Sequence, residues 1–349
     1  MKVLHIIDSM AIGGAEELII KTVGFLKDRS KIASVVVTLF GGGPLEKKVI
    51  SDAAYFCLKD QPLPVKMFSL REIIRKENPD VIHSHLFRSV VISRFAARRK
   101  DYLINSYHTA FHDPASIEFS YKQLIADKLT FRKRFVRMYV SNTVARSISK
   151  ALNRNGREYV LPNFVDERFV PAYNPKPSAE LKVVMVGNYR EQKNHALAIW
   201  ALSEAKCRTK ISIDIYGSGH LEASLLALIE RLGVNVKLKG LASINSQLLG
   251  RYDLFLMTSL HEGLPLALIE AMASGLPCLL NDIAELQEAG GSAAYYFEKN
   301  NQSDLAKALD LLSANRDELP KRSILSIEQS GKYDQNTYFA QLLKIYSNG

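Results

Sequence analysis

Apolar residues along the chain fall into short continuous runs, separated by longer stretches in which they recur every three or four positions. The first kind of pattern marks buried strands and the second marks one face of a helix. Residues 3–7 read as a strand, and Leu18, Ile19, Val23 and Leu26 after them as a helix face. Residues 34–40 form a second strand closed by Gly41-Gly42-Gly43-Pro44, and a helical segment lies around 70–76. Residues 80–83 and 103–106 are further strands. The alternation then restarts, with strands at 181–186, 211–216, 234–238, 253–257 and 276–280. Helices are expected at 196–205, from 219 to Leu232, at 266–272 and at 304–312. Strands alternating with helices predict βαβ units and parallel sheets, an α/β fold.

The pattern breaks once. Residues 171–178, Pro-Ala-Tyr-Asn-Pro-Lys-Pro-Ser, are the best linker in the chain. The expectation is a first Rossmann-like domain over 1–170, a second over 171–330 and a C-terminal helical segment over 331–349, with a cleft between two nucleotide-binding-type domains. No short repeat and no low-complexity tract interrupts this layout.

Composition adds direction. The 349 residues carry a net charge of +10. Residues 1–175 hold 28 Lys and Arg against 17 Asp and Glu, whereas the remainder is nearly balanced at 18 against 19. A basic first half implies an anionic partner, nucleic acid or an anionic membrane surface. The charge concentrates in 88–100 and 121–137, where Arg and Lys interleave with Val, Ile, Leu and Phe. Such basic amphipathic segments suit a bilayer surface, or are simply solvated helix faces. No recognised nucleic-acid module accompanies them. Cys57, Cys207 and Cys278 fit no metal-ligand spacing and suggest a reducing, cytoplasmic setting. The N-terminal apolar run is too short for a signal peptide, and no run is long enough to span a membrane.

Candidate chemistry gathers just past strand ends, where α/β sheets bind ligands. Gly13-Gly14 after the first strand is a possible phosphate turn, though the third glycine of the dinucleotide fingerprint is missing. His83, His85, His108 and His112 fall at or beyond strand ends, and their spacing favours hydrogen bonding over zinc. Arg190 and Lys193 follow a strand where cations could neutralise a diphosphate. The densest stretch is His261-Glu262-Gly263-Leu264-Pro265-Leu266 through Glu270, a turn that enters a helix. Gly263 permits close approach of backbone to ligand, and the helix start offers N–H groups to an anion. Glu262 and Glu270 would lie ~12 Å apart or more along the helix. A glycosidase pair needs at most ~9.5 Å. Two carboxylates flanking an anion site suit an elongated ligand such as a nucleotide-sugar.

In this order and spacing the motifs resemble the family 4 glycosyltransferases (glycosyl transferases group 1) of the GT-B fold. The resemblance rests on Gly13-Gly14-Ala15-Glu16, Pro79-Asp80-Val81-Ile82-His83-Ser84-His85, Pro162-Asn163-Phe164-Val165-Asp166, the stretch from Val186-Gly187 to Lys193-Asn194, Tyr216-Gly217-Ser218-Gly219, the Glu262–Glu270 stretch and Ala273-Ser274-Gly275-Leu276-Pro277. It implies retaining transfer from a nucleotide-diphosphate sugar, for which UDP is the preferred nucleotide, to a lipid-linked or polysaccharide acceptor at the inner membrane face. By position it implies Glu262 on the donor-sugar hydroxyls, Glu270 on the ribose, and Gly263, Leu264, Pro265 and Leu266 beside the donor. Lys193 matches the diphosphate lysine. The family's companion arginine falls at Asn188, and Arg190 is its substitute. His108 resembles the histidine that faces the reacting centre, and Gly13 and Gly14 pack near the diphosphate. No Asp-x-Asp stretch occurs, in keeping with members that need neither metal nor other cofactor. The competing expectations are a nucleotide-sugar epimerase or hydrolase on the same fold, and a non-catalytic binding protein.

Overall fold

Two all-parallel sheets organise the chain. The structure, a computed structural model, describes residues 1–110, 119–174 and 180–348. It divides into two units, Met1–Pro162 together with Phe339–Gly349, and Asn163–Tyr338. The division thus falls at 162/163 and 338/339, not at 170/171 and 330/331. Residues 163–174 belong to the second unit for a physical reason. Asn163 Nδ2 donates to the Leu264 carbonyl at 2.8 Å, and Val165 N donates to Tyr333 O at 2.8 Å. Of the proline-rich stretch, 175–178 lie outside the described residues.

The first unit contains β1 (Lys2–Ile7), β2 (Ala33–Thr38), β3 (Ala54–Cys57), β4 (Val81–His85), β5 (Leu103–Tyr107), β6 (Val136–Tyr139) and β7 (Glu158–Val160). Their order is β3-β2-β1-β4-β5-β6-β7, so the direction of winding reverses between β1 and β4. Helices cover both faces, which is why the central strands are buried on both sides and read as nearly unbroken apolar runs. Leu4, Ile6, Val35, Val37 and Ile82 pack on one face with Leu70 and Ile74 of the helix Leu63–Glu77. Ile7 and Val36 face the other way, against Ile19 and Val23 of the helix Gly14–Ser30. The C-terminal segment docks through Phe339, stacked on Phe25 at 3.6 Å between ring centres.

The second unit contains β8 (Leu181–Val186), β9 (Ile211–Tyr216), β10 (Val236–Gly240), β11 (Leu254–Met257), β12 (Cys278–Asn281) and β13 (Tyr295–Phe297). Their order is β10-β9-β8-β11-β12-β13, with the reversal between β8 and β11. Its core joins Val183, Met185, Ile213, Leu254 and Leu256 to Leu202 of the helix His195–Glu204 and to Leu305 and Leu309 of the helix Gln302–Ala314.

The basic segments need correction. Residues 121–137 are not one helix: the helix Tyr121–Thr130 ends there, and Arg137 sits in β6, fully buried. Arg94, in the helix Phe87–Ala96, is internal too. Its Nη1 meets Asp127 Oδ1 at 2.6 Å, and Nη2 donates to Tyr107 Oη at 2.9 Å. These two cations hold the first unit together and face no partner. Still exposed are Arg88, Arg99 and Lys100 in the first segment, and in the second Lys122, Arg132, Lys133 and Arg134 beside three exposed apolar residues, Tyr121, Ile125 and Leu129. Among the described residues no helix is long and apolar enough to cross a membrane, and all three cysteines are free.

Candidate active site

In the second unit the loops after β8 and β11 meet at the reversal point. Thr258 Oγ1 donates to the carbonyls of Lys193 and Asn194 at 2.9 Å each. Leu260 N donates to Gln192 O at 2.9 Å, and Gln192 Nε2 to His261 O at 3.0 Å. The two loops are therefore one rigid piece of backbone. Its strand side is fixed by Asn281, whose Nδ2 donates to Ser259 O at 2.9 Å. Tyr189, fully buried, anchors the other side through Oη to Ile215 O at 3.0 Å. Gly217 is required there: its φ is +157°, and a Cβ would run into the Gly187 carbonyl oxygen.

On this platform Lys193 Nζ meets Glu262 Oε1 at 2.5 Å. The carboxylate side chain is 7% exposed and the lysine 21%, so the charges face each other largely out of water. Beside them is a shallow recess, lined by Lys193, His195, Met257, Thr258 and Ser259, among others. His195 Nε2–H donates to Gly187 O, 3.2 Å away, and burial pushes its pKa down to about 4. Gly263 and Leu264 are buried, and Asn163 holds the Leu264 carbonyl. Pro265 is the N-cap of the helix Leu266–Ala273, one position earlier than the first helical turn. Leu268 N already donates to Pro265 O at 3.2 Å, whereas the N–H groups of Leu266 and Ala267, at the first two positions, have no acceptor within the helix. Glu270 lies half-buried one turn further along. Arg190 is exposed and stands just before the short turn Glu191–Lys193. Asn188, two residues before it, is half-buried.

In the first unit Gly13 is the extended N-cap of the helix Gly14–Ser30, and Gly14 is its exposed first residue. A Cβ on Gly13 would meet only the far end of the Glu16 side chain, at 2.5 Å. The stringent glycine is Gly43, with φ +153° and its α-carbon turned against the Met10 carbonyl. Met10 N donates to Gly42 O at 3.1 Å, so the glycine loop braces the turn carrying Gly13 and Gly14.

The histidines form a cluster that includes one residue the motifs do not flag, His5 of β1. His5 pairs in register with His83 of β4, and His83 and His85 share a face because they are two residues apart. That period-two coincidence was the available signal. His5 Nδ1 lies 3.4 Å from His85 Nε2, and His85 Nδ1 lies 3.2 Å from His108 Nε2. His83 is bonded at both nitrogens, to Tyr346 Oη at 2.7 Å and Ser106 Oγ at 2.6 Å. Desolvation pushes His5 and His108 down to about 4 and holds His83 and His85 well below the ordinary value. Ring nitrogens of His5, His83 and His85 lie within 4.8 Å of one another, close enough for a metal to bridge. Yet His83 and His85 already use both nitrogens. His112 lies outside the described residues.

The structure thus brings Lys193, Glu262, Gly263, Leu264 and the start of the Leu266–Ala273 helix together in one unit, and Gly13, Gly14 and His108 near strand ends in the other. Thr258 and Asn281 are supporting residues not flagged by motif, and Asn163, which lies in the Pro162–Asp166 motif, supports the loop through the Leu264 carbonyl.

Comparison with known proteins accounts for both arrangements. Residues 12–169 match the model described as Glycosyltransferase Family 4, and residues 166–328 the model described as Glycosyl transferases group 1. The capsular polysaccharide biosynthesis glycosyltransferase CapH of Staphylococcus aureus is 25% identical over 99% of this chain and 98% of its own. The UDP-Gal:alpha-D-GlcNAc-diphosphoundecaprenol alpha-1,3-galactosyltransferase of Escherichia coli is 29% identical over 62% of this chain and 61% of its own. Among solved structures, Anabaena HepE in complex with UDP-glucose superposes with a TM-score of 0.84 over the whole of both chains, at 20% identity. The chain has the GT-B fold and belongs to the family 4, group 1 glycosyltransferases.

Proposed function

We propose that this glycosyltransferase moves a hexose, with retention, from a UDP-sugar to a lipid-linked or polysaccharide acceptor in bacterial cell-surface glycan synthesis. The observation that carries the reading is the buried Lys193–Glu262 pair beside a helix start. A diphosphate seated there would meet Lys193, Arg190 and the free N–H groups of the helix, while Glu262 accepts from sugar hydroxyls and Glu270 from the ribose. The donors and dipoles are fixed in advance, so they stabilise charge on the departing phosphate with little reorganisation. In the reaction the bond from the anomeric carbon to the β-phosphate oxygen breaks and a bond to the acceptor oxygen forms. The acceptor's proton passes to the departing phosphate on the same face, and UDP leaves. Gly13 and Gly14 would lie by the diphosphate and His108 by the reacting sugar. The relatives support the donor and acceptor classes: one is a UDP-Gal:alpha-D-GlcNAc-diphosphoundecaprenol galactosyltransferase, and HepE is in complex with UDP-glucose.

On this reading no metal is required, since lysine, arginine and helix dipole meet the diphosphate charge. The same reading gives Tyr121, Ile125 and Leu129, with the basic residues beside them, a role at the anionic inner face of the membrane, where a lipid-linked acceptor resides. The test is product analysis with a panel of UDP-hexoses and a polyprenyl-diphosphate-linked sugar. An α-linked product from an α-linked donor supports the reading. An inverted product, an epimerised donor, or sugar released to water at the same rate without acceptor would overturn it.

A further inference from the structure

The histidine cluster has a polarity that can be worked out from its hydrogen bonds. Three adjacent strands contribute to it: β1 through His5, β4 through His83 and His85, and β5 through Ser106 with His108 two residues on. Among the described residues, the hydrogen-bond partners in the set are imidazoles and hydroxyls. Burial without a counter-charge keeps such rings neutral at pH 7, so each carries one N–H and one bare nitrogen. His83 is satisfied separately by Tyr346 and Ser106, and its ring lies 4.0 Å from that of His85 between centres. The remaining three form a line, His5 to His85 to His108.

A line of neutral imidazoles can run in only two directions. Run inward from His108, it would leave His5 Nε2 carrying the last N–H. That atom is buried and has no partner among the described residues. Run outward, it leaves His5 Nε2 as a bare lone pair. A buried orphaned N–H is the rarer and costlier fault. The outward direction is therefore favoured: His5 Nδ1–H donates to His85 Nε2, His85 Nδ1–H donates to His108 Nε2, and His108 carries its proton on Nδ1.

We infer that His85 is a positioning residue that fixes the tautomer of His108, so that His108 presents an Nδ1–H donor to the reacting sugar. His85 itself touches no substrate. Its inner nitrogen is set by His5, and its outer nitrogen takes away the choice that a free imidazole has. The inference rests on the place proposed above for His108, but the tautomer itself does not.

The experiment uses the full chain labelled with ¹⁵N-histidine, with His108 assigned through a His108→Gln variant. Nitrogen–proton spectra at pH 7 without ligand are expected to find Nδ1 protonated and Nε2 bare on His5, His85 and His108. In His85→Leu the His108 proton is expected to move to Nε2, and kcat to fall roughly tenfold or more while the donor KM stays within about twofold. In His85→Asn the side-chain amide stands where Nδ1 was, and both the tautomer and most of kcat are expected to return. A wild-type His108 protonated on Nε2 would overturn the inference without any variant. So would a full kcat in His85→Leu, or one equivalent of zinc retained on the cluster after dialysis. If the tautomer is as described but His108→Gln transfers sugar at full rate, the role in transfer falls while the hydrogen-bonded line stands.

Discussion

Replacing Lys193 by methionine should hurt the protein in two separable ways. The lysine nitrogen is 2.5 Å from Glu262, whose side chain is 7% exposed. Removing one partner of a buried pair costs about 3–5 kcal/mol, because a charge is left without compensation. Here the site is 21% open on the lysine side, so water screens part of the stranded charge, and roughly 2–3 kcal/mol is expected. The reverse substitution is milder. In Glu262→Gln the lysine can swing its stem outward, and the cost should be about 1 kcal/mol or less. The double variant should be more stable than the sum of the singles implies, by about 1.5 kcal/mol. Thermal unfolding reads this directly: at about 2–4 °C per kcal/mol for a unit of this size, Lys193→Met lowers the second unit's transition by about 5–10 °C. Both single variants should lose transfer activity, whatever their stability. An unchanged transition in Lys193→Met, or strict additivity in the double variant, would refute the view that the pair is formed and buried before donor arrives.

Three further outcomes are expected. Acid should weaken the fold: His5 titrates at about 4 when folded against 6.5 unfolded, so the unfolded chain takes up protons first, and stability is lost as pH falls from 6.5 toward 4. His5 alone accounts for about 2 kcal/mol by pH 5, so the drop in urea-unfolding free energy from pH 7 to pH 5 should be smaller by about that amount in His5→Leu than in wild type. Chelation with EDTA should leave the transfer rate unchanged, and a loss restored by one divalent cation would mean the diphosphate is met by a metal. Ile125→Glu should abolish co-sedimentation with vesicles containing anionic lipid while leaving thermal stability intact, since that side chain is exposed.

The central strands were legible because β-branched runs such as Val35-Val36-Val37 and Val183-Val184 are buried on both faces. The edges were not. Ala54–Cys57, Glu158–Val160 and Tyr295–Phe297 are short and half-covered, so their side chains carry no clear alternation. β6 was hidden inside a basic stretch because its Arg137 looks like a surface cation, although it lies under Phe131 and is paired with Glu158. Residues 171–178 have linker composition, yet the boundary is set by what the backbone is bonded to, and Asn163 and Val165 bond forward to Leu264 and Tyr333 of the second unit. At the site, Lys193 and Glu262 could be named from motif and spacing. Their mutual contact could not, because it depends on two loops 69 residues apart being stitched together by Thr258 and Gln192. His5 escaped notice because a single histidine in an apolar run reads as core until the register of β1 with β4 is known.

The most direct measurement is calorimetric titration of UDP and of the preferred UDP-sugar against wild type and Glu262→Gln. Glu262 is assigned to the sugar and not to the nucleotide, so the variant should bind UDP no more weakly than wild type and bind the UDP-sugar at least about tenfold more weakly, the loss of roughly one charge-assisted hydrogen bond. Equal weakening of both ligands, or no change in either, would contradict the account.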